Sequence, residues 1–300
     1  MSTSVRRRVG YFVENEQGTL DISVHSKNFE ERHYQELGHY SKVIFDVKPV
    51  ITAFEIVRAN FEEIFITASS YKEGLKDIMM LGPQEMHKSL EGMVALTQRV
   101  SNFLASASLF LTNAEVRLGK MFGEDSGELS EWNERRRTLH KNSFSYRFMY
   151  ELRNYSQHYG LPVSGFNINI RHMLESNPSI NLTMYLSKSE LIKSKFNWGK
   201  LKGEIEAIDG NSDIVPHLKK YYKILRRIQL NYLDLYSNKI LECSEYISTF
   251  HKIFKIPEGI SPVLFIGDGT KDLPPKEVEY VPTDQFTWVC SKYLELKDRA

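Results

Sequence analysis

The sequence predicts a mainly α-helical protein, an antiparallel helical bundle with two peripheral β-hairpins and an extended C-terminal tail. Three observations predict this class. Apolar residues recur every three to four positions over long stretches, which is the period of an amphipathic helix. Two shorter stretches alternate apolar and polar residues around turn-forming residues, as β-hairpins do. Five of the ten prolines lie after residue 254, where neither period is sustained.

The composition is that of a folded protein with little net charge. Of the 300 residues, 41% are hydrophobic and 26% are charged, which is near the average for globular proteins. The 39 Lys and Arg residues nearly balance the 38 Asp and Glu residues, so contact with RNA requires a local basic patch. Cys243 and Cys290 lack the spacing of metal ligands, and so few cysteines favour a reducing compartment. We therefore expect no zinc or other metal site and no cofactor.

The chain shows no signal for a membrane. No apolar run approaches the roughly 20 residues that cross a bilayer. The basic start, residues 6–8, is not followed by the continuous apolar segment of a signal peptide. We expect a cytoplasmic protein that does not bind membranes.

The N-terminal region, residues 1–40, is expected to contain a hairpin and a connector. Two segments rich in β-branched and aromatic residues, between residues 9 and 24, flank the turn-like residues 15–18. Residues 29–40 are polar and helical in part, but Gly38 interrupts the pattern. The segment is therefore expected to connect the hairpin to the bundle.

The helical bundle is expected to span residues 41–160 and 213–254. Its first helix has Ser41 as N-cap, tolerates Pro49 near its start and extends to about residue 71. Its second helix begins with Pro83 at N1 and extends to about residue 123. The apolar positions that predict these helices are Ile44, Val47, Ile51, Phe54, Val57, Phe61, Ile64 and Phe65 in the first, and Met86, Leu90, Met93, Leu96, Val100, Leu104, Ala107 and Leu111 in the second.

A third helix is expected from Ser130, as N-cap, to Tyr159, before residues 160–162 stop it. The insertion, residues 163–212, contains a second hairpin, which could pair with the first in one small sheet. The last long helix, residues 213–254, would be about 60 Å long, so a bend or break is expected. Residues 255–300 form a wrapping tail with a short helix near residues 285–297. We expect a single domain, residues 1–300.

Two neighbouring stripes on the third helix differ in character. The apolar stripe, which predicts the core face, contains Phe144, Phe148, Leu152, Tyr155 and Tyr159. The polar stripe contains Ser143, Arg147, Glu151, Asn154 and His158. Arginine binds phosphate, asparagine holds a hydrogen-bonded geometry, and histidine moves protons near neutral pH. The polar stripe is therefore the candidate site.

Residues 153–158, Arg-Asn-Tyr-Ser-Gln-His, resemble the signature of HEPN domains. That signature is an arginine, a polar residue directly after it and a histidine a few residues later, near the end of a helix in an all-helical bundle. The flanking residues also resemble those of uncharacterised bacterial members. The resemblance covers residues 147–163.

The resemblance implies a metal-independent endoribonuclease, usually homodimeric, in which signatures from two protomers face each other across a cleft. His158 would act as general acid or base on the ribose 2′-hydroxyl and the leaving oxygen. Arg153 would hold the scissile phosphate and Asn154 would orient the pair. The implied products carry a 2′,3′-cyclic phosphate and a 5′-hydroxyl. The implied setting is stress response, toxin–antitoxin systems or antiviral defence, with an antitoxin or regulatory protein as a further partner.

Helical geometry limits how one protomer assembles this site. At about 100° per residue, Asn154 and His158 share a face, whereas Arg153 lies about 140° from His158. Convergence requires a loosened helix end, a curled arginine side chain, or a second protomer. We expect Arg135, Arg136 and Arg147 to guide the RNA backbone towards the cleft, although a solvated helix face explains the first two equally well.

Three other interpretations stay open. The motif also fits a surface arginine and a helix-end histidine that the helix dipole stabilises. The alternative function is a non-catalytic helical module that binds a nucleotide, RNA or a protein. A further alternative is a structural bundle whose hairpins and tail mediate assembly.

Overall fold

The computed structural model describes residues 6–81, 86–171, 179–267 and 277–298. In chain order the elements are β1 (Arg6–Glu14), β2 (Leu20–Val24), α1 (Glu31–Leu81), α2 (Met86–Phe122), α3 (Gly127–Lys141), α4 (Phe144–His158), β3 (Gly165–Arg171), β4 (Ser179–Ser187), α5 (Lys188–Lys193), α6 (Leu201–Glu206), β5 (Asn211–Asp213), α7 (Ile214–Asp234), α8 (Ser237–Ile253), β6 (Pro262–Gly267), β7 (Glu277–Tyr280) and α9 (Thr283–Asp298). The predicted mainly α-helical class is confirmed. The antiparallel bundle stays a prediction.

The chain divides into two compact units. The first comprises Met1–Ile51 and Leu233–Ala300, and the second comprises Thr52–Tyr232. The divisions fall inside α1 and α7. Pro83, expected at N1, lies outside the described residues.

The first unit is built on a four-stranded antiparallel sheet with the strand order β2-β1-β6-β7. Val9 of β1 and Leu264 of β6 face each other in the register and lie on one face of the sheet. They belong to a buried cluster with Phe29, which precedes α1, Leu37 of α1 and Phe250 of α8. This face of the sheet is therefore packed against helices.

The expected connector at 29–40 and the N-cap at Ser41 are wrong, because α1 begins ten residues earlier, at Glu31. Gly38 does not interrupt the helix. An isolated glycine costs a helix only about 1 kcal/mol, and the buried side chains of Leu37 and Val43 hold this turn in place. Pro49 also lies inside α1, so the helix spans 51 residues.

The expected extended tail is also wrong in its first half. Residues Val263, Leu264 and Phe265 are buried in β6, which pairs with β1 on one side and β7 on the other. Burial on both faces gives a continuous apolar run without alternation, which is why the strand period was not visible. The helix expected near residues 285–297 is α9.

The second unit has a helical core and a separate small sheet with the strand order β3-β4-β5. The two pairs of strands expected to join in one sheet therefore lie in different sheets. Aromatic rings fill the helical core: Phe61 stacks on Tyr222 with ring centroids 4.1 Å apart, and Phe54 lies edge-on to Phe110 at 5.3 Å.

Two of the long predicted helices are broken. The third helix ends at Lys141 and restarts at Phe144, with Ser126 rather than Ser130 as the first N-cap. Ser143 has an extended backbone, and its hydroxyl accepts a hydrogen bond from the Tyr146 N–H at 3.2 Å, so it caps α4. The last helix is interrupted between Asp234 and Ser237, as its length led us to expect.

In the part of the chain that the structure describes, no helix has the length and apolarity needed to cross a membrane.

Candidate functional site

Helix α4 carries the candidate site and is held by its apolar face. Phe148, Met149 and Leu152 are fully buried, and the helix packs against α2, α3 and α6. Of the predicted apolar stripe, Phe144 is half-buried and Tyr159 is 52% exposed, so the core face is shorter than predicted. Because the buried side chains hold α4 in place, the polar stripe lies along the border of its buried face.

Arg153 and Asn154 are joined by a hydrogen bond. The Arg153 Nη1 group donates to Asn154 Oδ1 at 3.2 Å, and Asn154 Nδ2 donates to Glu151 Oε2 at 3.1 Å. The Arg153 side chain therefore turns towards the face that carries Asn154. Glu151 was placed in the polar stripe without a role. Its position three residues before Asn154 was the available signal for this contact.

Arg153 has spare capacity to bind an anion. Its Nε is buried and has no hydrogen-bond partner among the described residues. Arg135, Arg136 and Arg147 each pair with a carboxylate instead, on Glu131, Glu115 and Glu204 respectively. A buried guanidinium nitrogen without a partner is costly unless a ligand satisfies it.

His158 is the last residue of α4, and its side chain is exposed. Within the described residues its imidazole makes no hydrogen bond, ion pair or ring contact. The Tyr159 N–H still donates to the Tyr155 carbonyl at 2.9 Å, so the helix is regular past His158. The helix end does not loosen before the histidine. The structure thus joins Arg153 to Asn154, whereas His158 makes no hydrogen bond to either.

Arg147 connects three helices. Its Nη2 donates to both carboxylate oxygens of Glu204 on α6, at 2.9 and 2.7 Å. Its Nη1 donates to the carbonyls of His140 and Lys141 at the end of α3, the first at 3.0 Å. The expected role of Arg147 in binding RNA is untested, but its donors already serve the fold.

The expected basic cluster on α3 is neutralised in part. The Arg135 guanidinium pairs with Glu131, and the Arg136 guanidinium lies over the Trp132 ring and pairs with Glu115 at 3.2 Å. Burial, followed by the positive charge of Arg147, lowers the pKa of His140 below its ordinary value. A neutral His140 adds no positive charge to this surface near neutral pH.

An open groove of about 490 Å³ begins immediately after His158. Tyr155 and Tyr159 line it, with Gly160 and with Glu190 and Lys193 of α5. A Cβ at Gly160 would collide with the Tyr155 hydroxyl, so glycine lets the chain pass closely over that ring. The Tyr155 ring stacks on Trp198 at 5.4 Å, which fixes the floor of the groove.

Within the described residues, no group of three or more His, Cys, Asp or Glu side chains could hold a metal ion. Comparison with protein-family models, curated proteins and solved structures finds no match for this chain.

Proposed function

We propose that this protein is a HEPN-like, metal-independent endoribonuclease in which His158 is the general acid or base and Arg153 binds the scissile phosphate. The observation that carries the proposal is the partly buried Arg153, which is held by Asn154 and has an Nε without a partner among the described residues. A phosphate oxygen would satisfy that nitrogen. The resemblance of residues 153–158 to the HEPN signature supports the same assignment.

The chemistry needs no redox partner or metal. His158 takes the proton of the ribose 2′-hydroxyl, the 2′-oxygen bonds to phosphorus, and the bond from phosphorus to the 5′-oxygen breaks. The leaving 5′-oxygen takes a proton from a second histidine or from water. Arg153 stabilises the negative charge on the phosphoryl oxygens in the transition state. The products are a 2′,3′-cyclic phosphate and a 5′-hydroxyl.

The groove lined by Tyr155 and Tyr159, the residues three before and one after His158, supports a nucleotide substrate. Its volume of about 490 Å³ lies within the range of small-molecule sites. The half-exposed Tyr159 ring offers a surface on which a base can stack, and Lys193 offers a cation for the next phosphate. Unpaired bases can stack on aromatic side chains, so the protein would select RNA with single-stranded loops.

The test is cleavage of a single-stranded RNA by the purified protein in EDTA, with the ends of the products analysed. We expect His158→Ala to reduce the rate by about 10² to 10⁴. Arg153→Gln should reduce it comparably. His39→Ala is the matched control, because His39 is also an exposed histidine on a helix. Cleavage that persists in His158→Ala, with the fold intact, would refute the proposal.

The same experiment separates the alternative function. A non-catalytic module that binds RNA would retain RNA in a mobility-shift assay, lose affinity on Arg153→Gln and release no cyclic phosphate. A purely structural role for Arg153 would leave its donors paired within the fold, whereas its Nε has no partner among the described residues. The enzyme and the binding module therefore remain the two functions to compare.

A further inference from the structure

The outer edge of the sheet in the first unit has the features of a self-association surface. β2 lies at the edge of the sheet, and all five of its residues are exposed. Leu20, Ile22 and Val24 are 66%, 57% and 40% exposed, and their side chains lie on the same face of the strand. Native sheets usually protect an edge with lysine, proline or a bulge, and β2 has no lysine or proline.

The backbone groups of these same three residues point away from β1. The His25 N–H donates to the Val9 carbonyl at 2.8 Å, and the Asn15 N–H donates to the Thr19 carbonyl at 2.9 Å. In an antiparallel pair the hydrogen-bonded positions alternate, so the odd-numbered residues of β2 bond to β1. The N–H and C=O groups of Leu20, Ile22 and Val24 are therefore directed to the open edge.

We propose that β2 is a homodimer interface, in which the β2 strands of two copies pair antiparallel about a twofold axis at Ile22. In this register Ile22 faces its own copy, Leu20 faces the partner's Val24, and Val24 faces the partner's Leu20. The three facing pairs give about six backbone hydrogen bonds, two for each pair. The occupant of the edge is thus a second copy of this chain, and the two sheets become one.

Charge selects this register and this edge. Asp21 is the only charged residue of β2, and pairing about Ile22 places it opposite the partner's Ser23. A shift of the axis to residue 21 would place Asp21 opposite Asp21 of the partner subunit, and like charges directly opposite destabilise a sheet.

The other edge of the same sheet is protected against self-pairing. β7 alternates Glu277 and Glu279 with Val278 and Tyr280. In an antiparallel self-pairing about Glu277, Val278 or Glu279, a glutamate of β7 faces a glutamate of the partner, and this repels a second copy. β2 has no such repulsion in the register about Ile22.

The outer face beside β2 extends the apolar surface. Phe12 of β1 faces Ile22 in the register, and its ring lies edge-on to Phe265 at 5.7 Å. The Phe265 ring lies over Gly10, where a Cβ would collide with it. An apolar strip thus continues from β2 into the sheet, and side chains from the second copy cover its border.

The test is the molar mass of the purified full-length protein, measured by sedimentation over a range of concentrations. Wild-type protein should dimerise, and Ile22→Lys, which places two lysines opposite each other at the axis, should raise the dimer dissociation constant at least about tenfold. The matched control is Val278→Lys, an apolar-to-lysine change at the opposite edge, which should leave the dimer intact. Arg153→Gln should also leave it intact, because this interface is independent of the proposed nuclease site.

A cysteine variant tests the register even if Ile22→Lys fails to fold. Two residues facing each other at a hydrogen-bonded antiparallel position have Cα atoms about 5.5 Å apart, which a disulfide can bridge. Ile22→Cys should form a covalent dimer on mild oxidation, whereas Val278→Cys should not exceed the wild-type background. A monomer at all concentrations, a dimer that survives Ile22→Lys, or no cross-link through Ile22→Cys would overturn the proposal.

Discussion

Replacing Arg147 by alanine should destabilise the protein by about 2–3 kcal/mol. Its pair with Glu204 is partly exposed, with 20% and 42% of the two side chains accessible, so solvent screening limits that contribution to about 1 kcal/mol. The hydrogen bonds to the carbonyls of His140 and Lys141 hold the break between α3 and α4, and a bond from a charged donor contributes about 1.5–3 kcal/mol. The contributions of the ion pair and of the hydrogen bonds come from one side chain and are not additive, so we expect a total loss of about 2–3 kcal/mol.

The assay is urea unfolding followed by circular dichroism. Arg147→Lys should recover less than half of the loss, because lysine cannot form the bidentate pair. A double-mutant cycle with Glu204→Gln isolates the contact between the two side chains, for which we expect about 0.5–1 kcal/mol. A loss below about 0.5 kcal/mol in Arg147→Ala, together with weaker RNA binding, would refute the structural role and favour the predicted contact with RNA.

Three further outcomes are expected. Gln229 is fully buried, and its amide atoms have no hydrogen-bond partner among the described residues, so Gln229→Leu should raise the free energy of unfolding by about 1–2 kcal/mol in urea; a loss of stability would contradict this. Burial lowers the pKa of His217, so stability should fall as the pH drops below the ordinary value of 6.5, and His217→Gln should flatten that dependence of the urea midpoint. Burial raises the pKa of Cys243 to about 12, so its thiol should react with a disulfide reagent only after unfolding, as a slow phase of the reaction. This slow phase should be missing in Cys243→Ser.

The pH prediction for His217 depends on which form of its imidazole the fold stabilises. Its Nδ1 lies 2.9 Å from the Ser145 hydroxyl and its Nε2 lies 3.3 Å from the Ser212 hydroxyl. Lys220 further disfavours the protonated form, and Asp213 opposes this effect. Because the folded state binds the proton less tightly than the unfolded state, acid favours unfolding. An unchanged slope in His217→Gln would assign the pH dependence to other groups.

The long apolar periods of the sequence predicted the helices correctly. The residues that interrupt these periods did not predict the helix ends correctly. Ile44, Val47 and Val57 follow the helical period and are all fully buried in α1. Gly38 does not end the helical period, because one glycine costs a helix only about 1 kcal/mol and the side chains packed around it offset that cost. Ser143 was assigned to the polar stripe, but a serine before an apolar residue is also an N-cap, and only the fold decides between these two roles.

In the candidate site, contacts between neighbours in the sequence could likewise be predicted, and contacts between distant residues could not. Arg153 and Asn154 are adjacent in sequence, and their hydrogen bond follows from local geometry. Glu204, which pairs with Arg147, lies 57 residues away, and no sequence period connects them. The groove is formed by Tyr155 of α4, the chain after α4, and α5, so its residues carry no common motif. Contacts of this kind depend on tertiary packing.

The first unit is made from two segments that lie far apart in the sequence, and this sets the order in which it can form during synthesis. β1 is translated early, but β6, its central partner in the sheet, follows about 250 residues later. At about 5–20 residues per second, roughly 13–50 s separate the two strands on the ribosome. Thr52–Tyr232 is continuous and can fold within that interval. Until β6 emerges, β1 has only β2 as a strand partner, and two strands alone are at best marginally stable in water.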